Sequence, residues 1–146
     1  MTKIIIHCSA SSFGNAALID SWHRARGFAM IGYHYVILNG KLSPHKFHSY
    51  FDGHIETGRP LDDDSDLELD EKGAHTWGYN HAVGICLIGE SGKFTNAQMG
   101  SLHFLIRKLR EQFKEIEVGQ HSDYDPVNKP WCAGLSKLQM NVLNMI

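Results

Sequence analysis

The sequence predicts an α/β domain built on a central mixed β-sheet flanked by helices. Three observations carry that expectation. Short β-branched runs, Ile4–His7 and Val83–Ile88, read as buried strands. Amphipathic periods near 16–26, 96–114 and 135–145 alternate with them. The chain has 146 residues, 42% hydrophobic and 10% aromatic, which is enough for one core and too apolar for disorder. One domain over 1–146 is therefore expected, with no repeats or linkers.

Along the chain, the first strand ends at His7, followed by polar Ser9, Ser11 and Ser12. Asn15 is placed to cap a helix from Ala16 to Arg26, with Leu18, Ile19 and Trp22 on one side and Gly27 stopping it. Tyr33–Leu38 reads as a second strand, and Asn39-Gly40 as a turn. Residues 41–53 show no clear period and are expected to be irregular, with a short strand at His54–Glu56. The seven acidic residues within Asp62–Glu71 read as a solvated loop, because the glycine punctuation of a cation loop is missing. Val83–Ile88 is the most apolar run and is expected to be central. Thr95-Asn96-Ala97-Gln98 spells a capping box for the longest helix, Asn96 to Lys114. A short strand at Ile116–Val118, a loop over 119–134 and a helix from Leu135 to Met145 complete the chain.

Charge narrows the function classes. Fourteen Lys+Arg against 16 Asp+Glu provide no electrostatic case for nucleic acid or an anionic membrane. No apolar run approaches the roughly 18 residues of a membrane span. The apolar stretch at the N-terminus is too short for a signal peptide, so a cytoplasmic location is expected. The anomaly is ten histidines beside three widely spaced cysteines. His7 at a strand end, with His121 and Cys132 in one late loop, makes a two-imidazole, one-thiolate set if the three meet in space. Three protein ligands leave a fourth position for water, the arrangement of a catalytic rather than a structural zinc site. Cys8 points to the opposite face from His7, since strand neighbours alternate. Cys86 reads as core.

Several segments then resemble one family. Ile6-His7-Cys8-Ser9-Ala10, Gly32-Tyr33-His34-Tyr35 and Glu56-Thr57-Gly58-Arg59 occur in order. Gly73-Ala74-His75, Gly78-Tyr79-Asn80 and Val83–Gly89 follow, and then Gln120-His121-Ser122-Asp123 and Lys129-Pro130-Trp131-Cys132-Ala133-Gly134. The set is similar to the zinc-dependent N-acetylmuramoyl-L-alanine amidases of the phage lysozyme-like, or type 2, class, which share a fold with peptidoglycan recognition proteins. The resemblance implies zinc on His7, His121 and Cys132. It implies hydrolysis of the amide between N-acetylmuramic acid and L-alanine of peptidoglycan, with Tyr33 and Lys129 as catalytic helpers. It places His75 on the substrate side. Asn80 is open between a glycan or peptide contact and a turn role, and Asp123 between orienting His121 and a turn role.

Three departures stand out. Lys129 lies three residues before Cys132, where the family's lysine lies two before. Ala133 replaces a proline. The stretch 41–53 looks like a hairpin insertion. Of the other histidines, His23 is expected at the surface, and His34, facing away from Tyr33, as a partner behind the site or in the core. Two further readings come with the resemblance: a recognition module that binds peptidoglycan without cutting it, and a cytoplasmic recycling amidase acting on muropeptides. The non-catalytic branch typically lacks the cysteine ligand, which is present here. For an endolysin, the resemblance implies a monomer without stable membrane association that a holin releases to the wall.

Overall fold

Thr2–Cys8 forms β1, in which the Ile4-Ile5-Ile6 run is completely buried. In this computed structural model residues 1–61 and 72–146 are described. The acidic stretch 62–71, expected as a solvated loop, lies outside the described residues. The elements that follow are α1 (Ala16–Ala25), β2 (Tyr35–Ser43), β3 (Lys46–Thr57) and β4 (Val83–Leu87). After these come α2 (Asn96–Phe113), β5 (Ile116–Gln120), α3 (His121–Tyr124) and α4 (Lys137–Met145).

The strands form one sheet in the order β3-β2-β4-β1-β5. β1 runs parallel to β4 and β5, β2 runs parallel to β4, and β3 returns antiparallel along β2. The mixed sheet expected from the sequence is therefore present, with all-apolar β4 in its centre. Alternation along β1 splits its side chains between two cores. Ile4, Ile6 and Cys8 pack with Leu102, Ile106 and Leu109 of α2 and Leu143 of α4. The opposite face carries Cys86, Val36, Leu38 and Ile19 of α1. Burying Leu or Ile side chains of this kind contributes on the order of 1.5–3 kcal/mol each.

Helix ends are capped as the residue types require. Asn15 accepts from Leu18 N at 2.9 Å, and Glu56 of β3 accepts from Ala16 N at 2.7 Å, placing a carboxylate at the positive end of α1. The Thr95/Gln98 capping box is present. Gln98 also donates through Nε2 to the carbonyls of Ile37 and Ile88, tying α2 to β2 and to the end of β4. On the β5 edge, Asn144 both accepts from Val118 N and donates to Val118 O, occupying backbone groups that another strand would take.

Several expectations are corrected. Asn39-Gly40 does not turn the chain. Gly40 adopts a positive φ of 88° inside β2, where the pairing with β3 shifts register, so the pair forms a bulge. The chain reverses at Pro44-His45 instead, and 41–53 is paired hairpin rather than irregular backbone. Its apolar and polar residues do not alternate cleanly because the register shifts change which face they meet. Tyr33 lies just before β2 rather than on it. The expected loop over 119–134 begins later, because β5 continues to Gln120 and α3 follows at once. His23 is buried, not at the surface, and accepts from Gly32 N at 2.9 Å.

Candidate metal centre and its groove

Three elements deliver the candidate ligands. Strand β1 places His7 at its carboxyl end, where ligands gather in open α/β sheets. Its neighbour β5 ends one residue before His121, so the parallel pairing of the two strands brings the imidazoles together. The loop after α3 returns Cys132, with Cys132 O accepting from Ser122 N at 2.6 Å. His7, His121 and Cys132 are all buried, and one ligand atom from each lies within 4.8 Å of the others.

The donor set fits a zinc ion. His7 Nδ1 and His121 Nδ1 face each other at 3.1 Å. A tetrahedral site with Zn–N bonds of roughly 2.0–2.1 Å holds two such nitrogens about 3.3 Å apart. The Cys8 backbone N–H donates to Cys132 Sγ at 3.2 Å, a bond that favours thiolate. Burial first, then His75 and His121, holds His7 well below the ordinary histidine range, and burial followed by Lys129 lowers His121. Both imidazoles are thus neutral at pH 7, as ligands must be. The side-chain contact with the Cys8 thiol, followed by burial, outweighs that backbone bond and pushes the Cys132 thiol up. Metal binding at this set therefore releases the Cys132 proton.

Two cavities flank the ligands. One, lined in part by Trp22, Trp131 and Cys132, is ≈ 230 Å³. The other, lined by His75, Trp77 and Asn80, is ≈ 480 Å³. Tyr33, His121 and Lys129, with His23 and Arg26, line both, so they form the saddle between them. The Tyr33 ring lies 5.0 Å from the His7 ring, and burial raises its hydroxyl well above the ordinary tyrosine range. Lys129 is half-buried with its ammonium 5.2 Å from the Trp131 ring centre. Its position three residues before the cysteine still leaves it on the saddle. Trp77 is 92% exposed, which leaves its ring open to a ligand in the larger cavity.

His75 is not simply a groove residue. Its Nδ1 lies 2.9 Å from His7 Nε2 and 3.1 Å from Thr76 Oγ1, while its Nε2 reaches Ala82 O at 2.9 Å. Asn80 Oδ1 accepts from both His75 N and Thr76 N, at 3.0 and 3.1 Å, and so organises the loop. Asp123 accepts from Gln120 N rather than from His121, which is the turn reading of that residue. His34 is buried and accepts from Gly84 N at 3.0 Å, as a core partner does. Among the described residues no second cluster of potential metal ligands occurs beside His7, His121 and Cys132, so His45, His48 and His54 form none. Thr76 and the Cys8 amide were not visible as site groups in the sequence. The only local hint for Thr76 is its adjacency to His75.

No family model matches the chain. The endolysin of Enterobacteria phage T3 is 33% identical over 134 residues, covering 84% of this chain and 76% of that protein. The endolysin of Klebsiella phage KP32 is 30% identical over 136 residues, covering 86% of this chain and 77% of that protein. Among solved structures, the N-acetylmuramoyl-L-alanine amidase LysC from Clostridium intestinale URNW superposes with a TM-score of 0.72 at 26% identity. That match covers 98% of this chain and 85% of LysC.

Proposed function

Because the chain belongs to the family of zinc-binding amidase endolysins, we propose that it is a zinc-dependent N-acetylmuramoyl-L-alanine amidase. Its substrate is peptidoglycan, and the bond cut is the amide joining N-acetylmuramic acid to L-alanine. One observation carries this reading: His7, His121 and Cys132 converge, buried, between two cavities that meet at Tyr33 and Lys129. A bound zinc ion would supply Lewis acidity toward the amide carbonyl and a water acidified to a pKa of roughly 7.

The chain's own groups do the rest. Tyr33 stays protonated because burial opposes its ionisation; its hydroxyl is hydrogen-bonded with the Cys86 side chain, and by turning from that thiol its O–H would donate toward negative charge developing on the amide oxygen. Lys129 adds a fixed positive charge at the same saddle, held against the Trp131 face. Trp22 and Trp131 on one side and Trp77 on the other offer apolar faces for the sugar ring and the peptide stem. The cysteine ligand separates this reading from a module that only binds the wall.

The test is to incubate zinc-loaded protein with purified peptidoglycan and assay new L-alanine amino termini. Release of those termini, abolished by a chelator and by Cys132→Ala, is expected. New reducing sugar ends in place of amino termini would identify a glycosidase. Full activity of Cys132→Ala would remove the cysteine from the metal.

A further inference from the structure

We infer that His75 is a positioning residue that fixes His7 in the tautomer whose Nδ1, not Nε2, faces the metal. The inference rests on the metal reading above and goes beyond it, since it assigns a proton to a particular atom. Ala82 O only accepts, so His75 Nε2, 2.9 Å away, carries a hydrogen and donates it. In a neutral imidazole the other nitrogen is then an acceptor. The groups set against the His75 ring nitrogens are the His7 imidazole, the Thr76 hydroxyl and the Ala82 carbonyl, none of them an anion that would hold a second proton on the ring. His75 Nδ1 therefore accepts from His7 Nε2 at 2.9 Å, since two lone pairs would repel at that distance. His7 Nε2 holds its proton, and its Nδ1 lone pair is left pointing at His121 Nδ1.

The relay is built rather than incidental. Thr76 Oγ1, on a buried residue, lies 3.1 Å from His75 Nδ1 and 3.3 Å from His7 Nε2, closing the same triangle. Gly84 lies directly against the ring: a Cβ there would stand 2.6 Å from His75 Cδ2. Asn80 pins the backbone of His75 and Thr76 from behind. Both ring nitrogens of His75 are thus engaged inside the protein. Partners of this kind orient a ligand and sharpen its basicity, and losing one typically costs roughly 10- to 100-fold in metal affinity.

Two variants separate this role from packing and from substrate contact. His75→Asn keeps an acceptor oxygen near the Nδ1 position, and His75→Phe keeps the ring without an acceptor. Zinc affinity, measured by competition with a chromophoric chelator, is expected to fall roughly 10- to 100-fold in His75→Phe and to be largely restored in His75→Asn. KM for peptidoglycan fragments should stay near the wild-type value in zinc-saturated His75→Asn. In zinc-loaded wild-type protein, ¹⁵N NMR of the imidazoles should show His7 protonated at Nε2. A His7 protonated at Nδ1 would overturn the inference even if His75→Phe fails to fold. So would wild-type zinc affinity in His75→Phe, or a raised KM with unchanged zinc affinity, which would mark His75 as a substrate contact. If the wild-type protein binds zinc only weakly and keeps its affinity in Cys132→Ala, the metal reading itself fails and the inference falls with it.

Discussion

Replacing Gly84 by alanine tests the site through a residue that touches neither metal nor substrate. Gly84 is buried in β4 between β1 and β2, with its N–H donated to His34 and its carbonyl accepting from His34 N. The strand is therefore held on both sides and cannot easily retreat. The added methyl would stand 2.6, 2.7 and 2.9 Å from Cδ2, Cγ and Nε2 of His75, against 3.4 Å for ordinary contact. The ring must give way by about 0.8 Å. Taken along either of its 2.9 Å hydrogen bonds, that displacement lengthens the bond to about 3.7 Å, beyond hydrogen-bond range. Overpacking of this kind costs about 1–3 kcal/mol of stability. Zinc affinity is expected to fall about tenfold, equivalent to about 1.4 kcal/mol. The assay is a double-mutant cycle of zinc affinity and urea stability over Gly84→Ala and His75→Ala. With the His75 ring removed, the methyl has little left to strike, so the second substitution should cost far less than the first. Gly84→Ala protein that folds and binds zinc like the wild type would refute the reasoning. Equal costs with and without the His75 ring would refute it as well.

Lys129→Ala and Tyr33→Phe should each lower turnover, on the order of 10²–10³-fold if they stabilise the oxyanion, while zinc content measured by metal analysis stays at one per chain. Unchanged turnover would take either residue out of the mechanism. Gln98→Ala should lose about 2–5 kcal/mol, because it leaves the carbonyls of Ile37 and Ile88 without their donor and Thr95 N without the Gln98 half of the capping box. Urea denaturation reads that loss, and a change below about 0.5 kcal/mol would contradict it. Stability of zinc-free protein should fall as pH drops below about 6.5, the ordinary value for an unfolded histidine. The unfolded chain then takes up protons on His7, His75 and His121 that the folded chain refuses, because burial lowers all three. The loss is at most about 1.4 kcal/mol per pH unit per histidine, and for His75 it continues down to about pH 3. Equal urea midpoints at pH 7 and pH 5 would count against it.

Much of this was legible in one dimension. The α1, α2 and α4 periods, the Asn15 and Thr95 caps and the apolar β4 run follow from neighbours a few residues apart, which is the range over which propensity and capping act. The ligand types His7, His121 and Cys132 were legible too, because they stand within motifs whose order resembles a known family. Local signals misled where long-range pairing overrode them. Asn39-Gly40 is a good turn dipeptide, yet β3 pairing across Lys41–Ser43 converted it into a bulge. His23 reads as a surface residue on its helix, yet the chain folding back at Gly32 covers it and takes its Nδ1.

What only the tertiary structure decided is which atom of each residue works. His7 and His121 are 114 positions apart, and only the parallel pairing of β1 with β5 sets Nδ1 against Nδ1. Likewise, His75 reads as a groove residue in the sequence. Its protonation pattern follows from Ala82 O on one side and His7 on the other. A tautomer is chosen by hydrogen-bond partners in space, and sequence order carries no record of them. The chain thus specifies its elements, its ligand types and its family by itself, while the sheet decides the direction in which each imidazole points.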